Sequence, residues 1–158
     1  MVKNKTEKMF SKSLKLSNLW GMKIESNPLA HQQQVGDFIL TYDYTEHYTI
    51  IVEAKQVTCD EEGKGRFAFK RFKNLVPLLT FDLRNGNHKG FLLLTYNESG
   101  WADSDIYLIP VVVWENWAKD WNNVSLNRND ALAVFNPFRL DIHTGSIIDI
   151  ENAIKRLI

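Results

Sequence analysis

Apolar and polar positions along this chain fall into two periods, and the changes of period mark the elements. From 5 to 20 the chain reads KTEKMFSKSLKLSNLW. Met9, Phe10, Leu14 and the pair Leu19 and Trp20 fall near helical spacing with lysines between them, which predicts an amphipathic helix. Residues 25–34 hold Asn27-Pro28 and the run Gln32 to Gln34, and read as a loop because Pro28 drives its neighbour away from helix. Residues 35–42 and 48–57 are rich in β-branched and aromatic side chains and predict two strands, with a hairpin turn over Asp43 to His47. Residues 59–65 form a polar loop, and Arg66 to Phe69 a short strand. A helix is expected from about Lys73 to Arg84, with Pro77 limiting its first turn.

After a turn over Asn85 to Gly90, Phe91 to Tyr96 is a nearly continuous apolar run and predicts a strand buried on both faces. Ile106 to Val113 reads as a further strand, and Trp114 to Trp121 as the start of a helix. Residues 122–136 are polar and carry no clear period. Phe138 to Ile142 suits an edge strand. At the end Ser146 is placed to cap a helix, with Asp149 three residues on and Ile147, Ile150, Ile154 and Leu157 on one face. The order α-β-β-(β)-α-β-β-α-(β)-α mixes strands and helices. It predicts one α/β domain over residues 1–158, with a central mixed β-sheet flanked by helices.

Composition narrows this little: 158 residues, 44% hydrophobic and 24% charged, suit one ordinary globular domain. Cys59 is the single cysteine, which excludes an internal disulfide and a cysteine zinc cage and points to a reducing, cytoplasmic setting. No apolar run is long enough to span a membrane, and MVKNKTEKMF lacks the apolar stretch of a signal peptide. Charge changes the picture more by its distribution than by its sum. Net charge is zero, yet residues 1–24 carry six Lys against one Glu, residues 25–60 carry six acids against one Lys, and residues 61–100 carry seven bases against four acids. An acidic block is thus flanked by basic segments, as a cation site beside a polyanion's path requires.

The acidic block contains GDFILTYDYTEHYTIIVEAKQ, from Gly36 to Gln56. Strand alternation puts Glu53 and Lys55 on one face and Ala54 on the other. In a hairpin, Asp37 at the start of the first strand meets the end of the second, so Asp37, Glu53 and Lys55 converge. Hard oxygen ligands in that position suit Mg²⁺ or Mn²⁺, and a lysine beside them serves an attacking water or a phosphate. Other chemistries find no support: His31, His47, His88 and His143 lack zinc spacing, and there is no GxSxG or GxxxxGK. The basic group Lys70, Arg71 and Lys73, beside Phe69 and Phe72, is a candidate grip on a nucleic-acid backbone or the solvated side of a helix.

These residues resemble the PD-(D/E)xK nuclease superfamily, and within it RecU-type Holliday junction resolvases, over roughly residues 5–113. The likeness rests on GDFIL, IIVEAKQ, RFAFKRFKNLVPLL, GFLLLTYN and IYLIPVVVW. It implies a restriction-endonuclease-like core and an Mg²⁺-dependent DNA endonuclease that hydrolyses phosphodiester bonds. Asp37 and Glu53 would be metal ligands, joined by the Ala54 carbonyl. Lys55 would assist the water, and Glu7 from the N-terminal helix and Gln56 would support the site. Symmetric cutting of two strands implies a homodimer. The chain departs from the family in having Gly36 before the aspartate and no recognisable long basic protrusion. A restriction or homing-type nuclease on the same fold, and an inactive nuclease-like fold used for DNA binding or assembly, are the alternatives.

Overall fold

The computed structural model describes residues 5–23, 36–43, 46–58, 66–68, 75–97, 105–118, 125–141 and 148–158. The expected loops at 25–34 and 59–65, the tip of the hairpin at 44–45, the basic group Lys70, Arg71 and Lys73, and Ser146 and Ile147 lie outside these residues.

Helix α1 spans Lys5–Lys15 and buries Met9, Phe10 and Leu14, as its spacing predicts. It is shorter than expected. The Ser17 hydroxyl donates to the Leu14 carbonyl at 2.7 Å, and the Leu19 N–H donates to the Ser17 oxygen at 3.2 Å. That local bonding ends the helix and turns the chain. Trp20, expected on the helix, instead opens strand β1, Trp20–Lys23. Strands β2, Phe38–Asp43, and β3, His47–Thr58, form the expected antiparallel hairpin, with Asp43 opposite His47 at its closed end. The short strand β4, Arg66–Ala68, is followed by helix α2, Val76–Arg84, with Pro77 in its first turn.

Strand β5, His88–Asn97, is buried from Gly90 to Tyr96. Gly90 is needed there, because a Cβ would stand 2.9 Å from the Leu78 side chain and 3.1 Å from its carbonyl. Strand β6, Asp105–Pro110, stops three residues earlier than the β-branched run suggested, and Val111–Ala118 form helix α3. Packing overrides propensity here. Val111, Trp114 and Trp117 recur at helical spacing, and Val111 and Trp114 are fully buried in one cluster that Trp117 packs against.

The polar stretch 122–136 contains two elements that its composition conceals: strand β7, Ser125–Asn127, and helix α4, Arg128–Phe135. Asn127 caps α4 by accepting the Asp130 N–H at 2.8 Å. Strand β8, Arg139–Leu140, is the expected edge strand. Helix α5, Ile150–Leu157, is capped by Asp149, which accepts the Asn152 N–H. The cap therefore lies three residues after the expected Ser146.

Six strands form one mixed sheet in the order β1-β2-β3-β5-β6-β8, with β4 and β7 paired separately. Among the described strands of this sheet only the central β3–β5 pair is parallel. One face packs on α1 and α5, through Phe38, Leu40, Ile50, Val52, Phe91 and Leu93. The other packs on α2, α3 and α4, through Ile51, Leu92, Leu94, Tyr107 and Ile109. The apolar strands are thus covered by helices of the same chain. Where β6 begins, the buried Asp105 carboxylate accepts from Arg128 Nε at 2.7 Å and from Arg139 at 2.9 Å. No helix among the described residues is long and apolar enough to cross a membrane.

Candidate active site

The hairpin register builds the site. The register ends with Phe38 opposite Val52, and Asp37, one residue further out, lies close enough to Glu53 for its charge to act on that carboxyl. The Asp37 N–H donates to the Val52 carbonyl at 2.9 Å, outside the regular ladder. Among the described residues the β2 pairing stops there, and Glu53 to Thr58 pair with β5. Gly36 makes the break: its φ is +140°, and a Cβ would lie 2.4 Å from the Ile51 side chain. With β2 ended, the Ala54 N–H donates instead to Asp37 Oδ2 at 2.8 Å. A strand residue's N–H and C=O leave from the same edge, so the Ala54 carbonyl also opens toward Asp37.

Glu53 and Lys55 share the face that carries Ile51 and Val57, as alternation predicts. Lys55 Nζ lies 3.2 Å from Glu53 Oε1, and the two side chains are only 17% and 14% exposed. The Glu53 carboxyl is strongly perturbed. Burial foremost, and then the charge of Asp37, push it up from 4.5 to about 7; Lys55 opposes this, and Glu7 adds a smaller upward push. Glu7, on α1, is thus close enough for its charge to act on Glu53.

Gln56 points the other way. Its Oε1 accepts both the N–H and the hydroxyl of Thr6 at 3.3 Å. The Thr6 N–H belongs to the first turn of α1, where backbone donors have no partner within the helix. Gln56 thus caps the turn that carries Glu7. Two further residues that belong to no motif, Thr6 and Thr95, are both fully buried with their hydroxyl oxygens 2.6 Å apart. Thr95 leaves a signal in the sequence, being the one aliphatic hydroxyl within the apolar run of β5.

Among the described residues no group of three or more His, Cys, Asp or Glu side chains is close enough to hold a metal ion. The donors present are two facing carboxylates and one backbone carbonyl, all hard oxygens. That set fits Mg²⁺ or Mn²⁺, which keep several waters of their own. It does not fit zinc. The raised Glu53 is consistent with the fit, since two negative groups crowded together are relieved by a cation between them. No protein-family model matches this chain, and no curated protein is significantly similar to it.

Proposed function

We propose that this chain is a metal-dependent nuclease with a restriction-endonuclease-like core, acting on the phosphodiester bonds of DNA. Within that class the proposal is a junction-resolving endonuclease of the RecU type, working as a homodimer in the cytoplasm. The observation that carries the reading is Asp37 bound to the Ala54 N–H beyond the end of β2 and acting on the Glu53 carboxyl, with Lys55 on Glu53 and Glu7 within electrostatic reach.

Asp37, Glu53 and the Ala54 carbonyl would hold Mg²⁺ or Mn²⁺, which would supply Lewis-acid stabilisation of charge on the scissile phosphate and lower the pKa of a water. Lys55 is held by Glu53 with its ammonium at the site. From there it donates to the attacking water or to a phosphate oxygen and offsets the charge that grows during in-line displacement. The resemblance implies a 5′-phosphate product. Glu7 adds a carboxylate from the helix side, and Gln56 holds the turn that presents it. Lys70, Arg71 and Lys73 remain the proposed contacts to the DNA backbone.

The test is magnesium-dependent cleavage of supercoiled plasmid, linear duplex, single strands and four-way junctions. Structure-dependent nicks at junctions are expected, whereas discrete fragments from linear duplex would mark a restriction-type enzyme. Glu53→Ala and Lys55→Ala should each abolish cleavage while sparing DNA binding in gel shifts. No cleavage of any substrate by the native protein would sink the proposal.

A further inference from the structure

The Thr6–Thr95 pair is a buried polar contact between elements that have no other evident need of one. Thr95 stands in β5 between Leu94 and Tyr96, all fully buried, and Thr6 lies fully buried in the first turn of α1. Their oxygens are 2.6 Å apart, a short O–H···O distance. Thr6 is held a second time from β3, by Gln56. Two adjacent strands thus grip one residue of one helical turn, and the residue that follows it is Glu7. A valine at either threonine would fill the same space without the bond, and the packing of α1 is already supplied by Met9, Phe10 and Leu14.

We propose that Thr95 and Thr6 are positioning residues that set where Glu7 stands relative to the Asp37–Glu53 pair, and that they act on divalent-cation binding through Glu7 alone. The inference rests on the nuclease reading of that site. A carboxylate carried on a helix end is only as well placed as the end is anchored, and outer partners of this kind typically change metal affinity by 10- to 100-fold when removed.

The experiment is calorimetric titration of the full chain with Mn²⁺, with magnesium-dependent plasmid nicking alongside. Thr95→Val should weaken Mn²⁺ binding about tenfold, and Thr95→Ser, which keeps the hydroxyl, should restore it. Against a Glu7→Gln background, Thr95→Val should add nothing. An equal loss in that background would show a general packing effect and overturn the proposal, as would unchanged binding in Thr95→Val itself. If the valine variant does not fold, Thr6→Ala removes the same bond from the helix side and is read the same way. A native protein that neither binds Mn²⁺ nor cleaves DNA would instead refute the nuclease reading. Native binding left untouched by the threonine variants would refute only this inference.

Discussion

Replacing Glu53 by glutamine should make the metal-free protein more stable at neutral and alkaline pH while removing the proposed activity. Glutamine mimics the protonated acid in shape and charge. In the folded protein Glu53 titrates at about 7, against an ordinary 4.5, because it is buried and faces Asp37. The attraction of Lys55 at 3.2 Å is already part of that balance. Between 4.5 and about 7 the folded chain binds a proton that the unfolded chain has released. Stability from this group is therefore full below 4.5 and lost as pH rises through about 7. At about 1.4 kcal/mol per pH unit, the ionised side chain costs about 3 kcal/mol above pH 7. The advantage of Glu53→Gln over the native chain should grow from about 1 kcal/mol at pH 5 to about 3 kcal/mol at pH 8. For a chain of this size the latter is roughly 6–12 °C in Tm. Urea unfolding of both proteins in a chelator, at half-unit steps from pH 5 to 8, measures the difference directly. A gap that stays constant with pH, or a glutamine variant less stable than the native chain at pH 8, would refute the reasoning.

Two further substitutions test the frame around the site. Gly36→Ala places a Cβ on a residue at φ +140° and against the Ile51 side chain. It should cost about 2 kcal/mol in denaturant unfolding and loosen Asp37; a cost near zero would mean that the break after β2 has another cause. Asp105→Asn removes the charge that Arg128 and Arg139 share at a position 6% exposed. With Arg139 partly in solvent, the loss should be about 3 kcal/mol by urea titration, and a stabilised variant would show that the buried carboxylate is not compensated.

What the sequence revealed depended on whether an element's pattern and its packing agreed. The β2–β3 hairpin was legible because both strands alternate and their register puts matching faces together, so the approach of Asp37 to the later part of β3 followed from counting. The burial of β5 was legible from a run with no polar side. Three features were not. β1 has four residues and one glycine, and exists because it pairs with β2. The Val111–Val113 run has strand composition, yet helical spacing to Trp114 and Trp117 decides it once those rings are buried. In α4 the informative signal was Asn127 with Asp130 three residues on, a cap signature hidden in a polar stretch. At the site, spacing could group Gln56 with Glu53 and Lys55. Only the docked helix reveals that Gln56 serves the opposite face, and only the β5 contact singles out Thr95.

The two bonds that tie Asp37 to β3 have an entropic meaning. Its backbone donates to Val52, and its carboxylate accepts from Ala54, so main chain and side chain are both anchored before anything arrives. The rotamer freedom of that carboxylate is given up when the hairpin forms and need not be given up again on capture of a ligand. A flexible aspartate in the same place would search its conformations at each encounter. This one is preset by a neighbouring strand that simply runs on further than its partner.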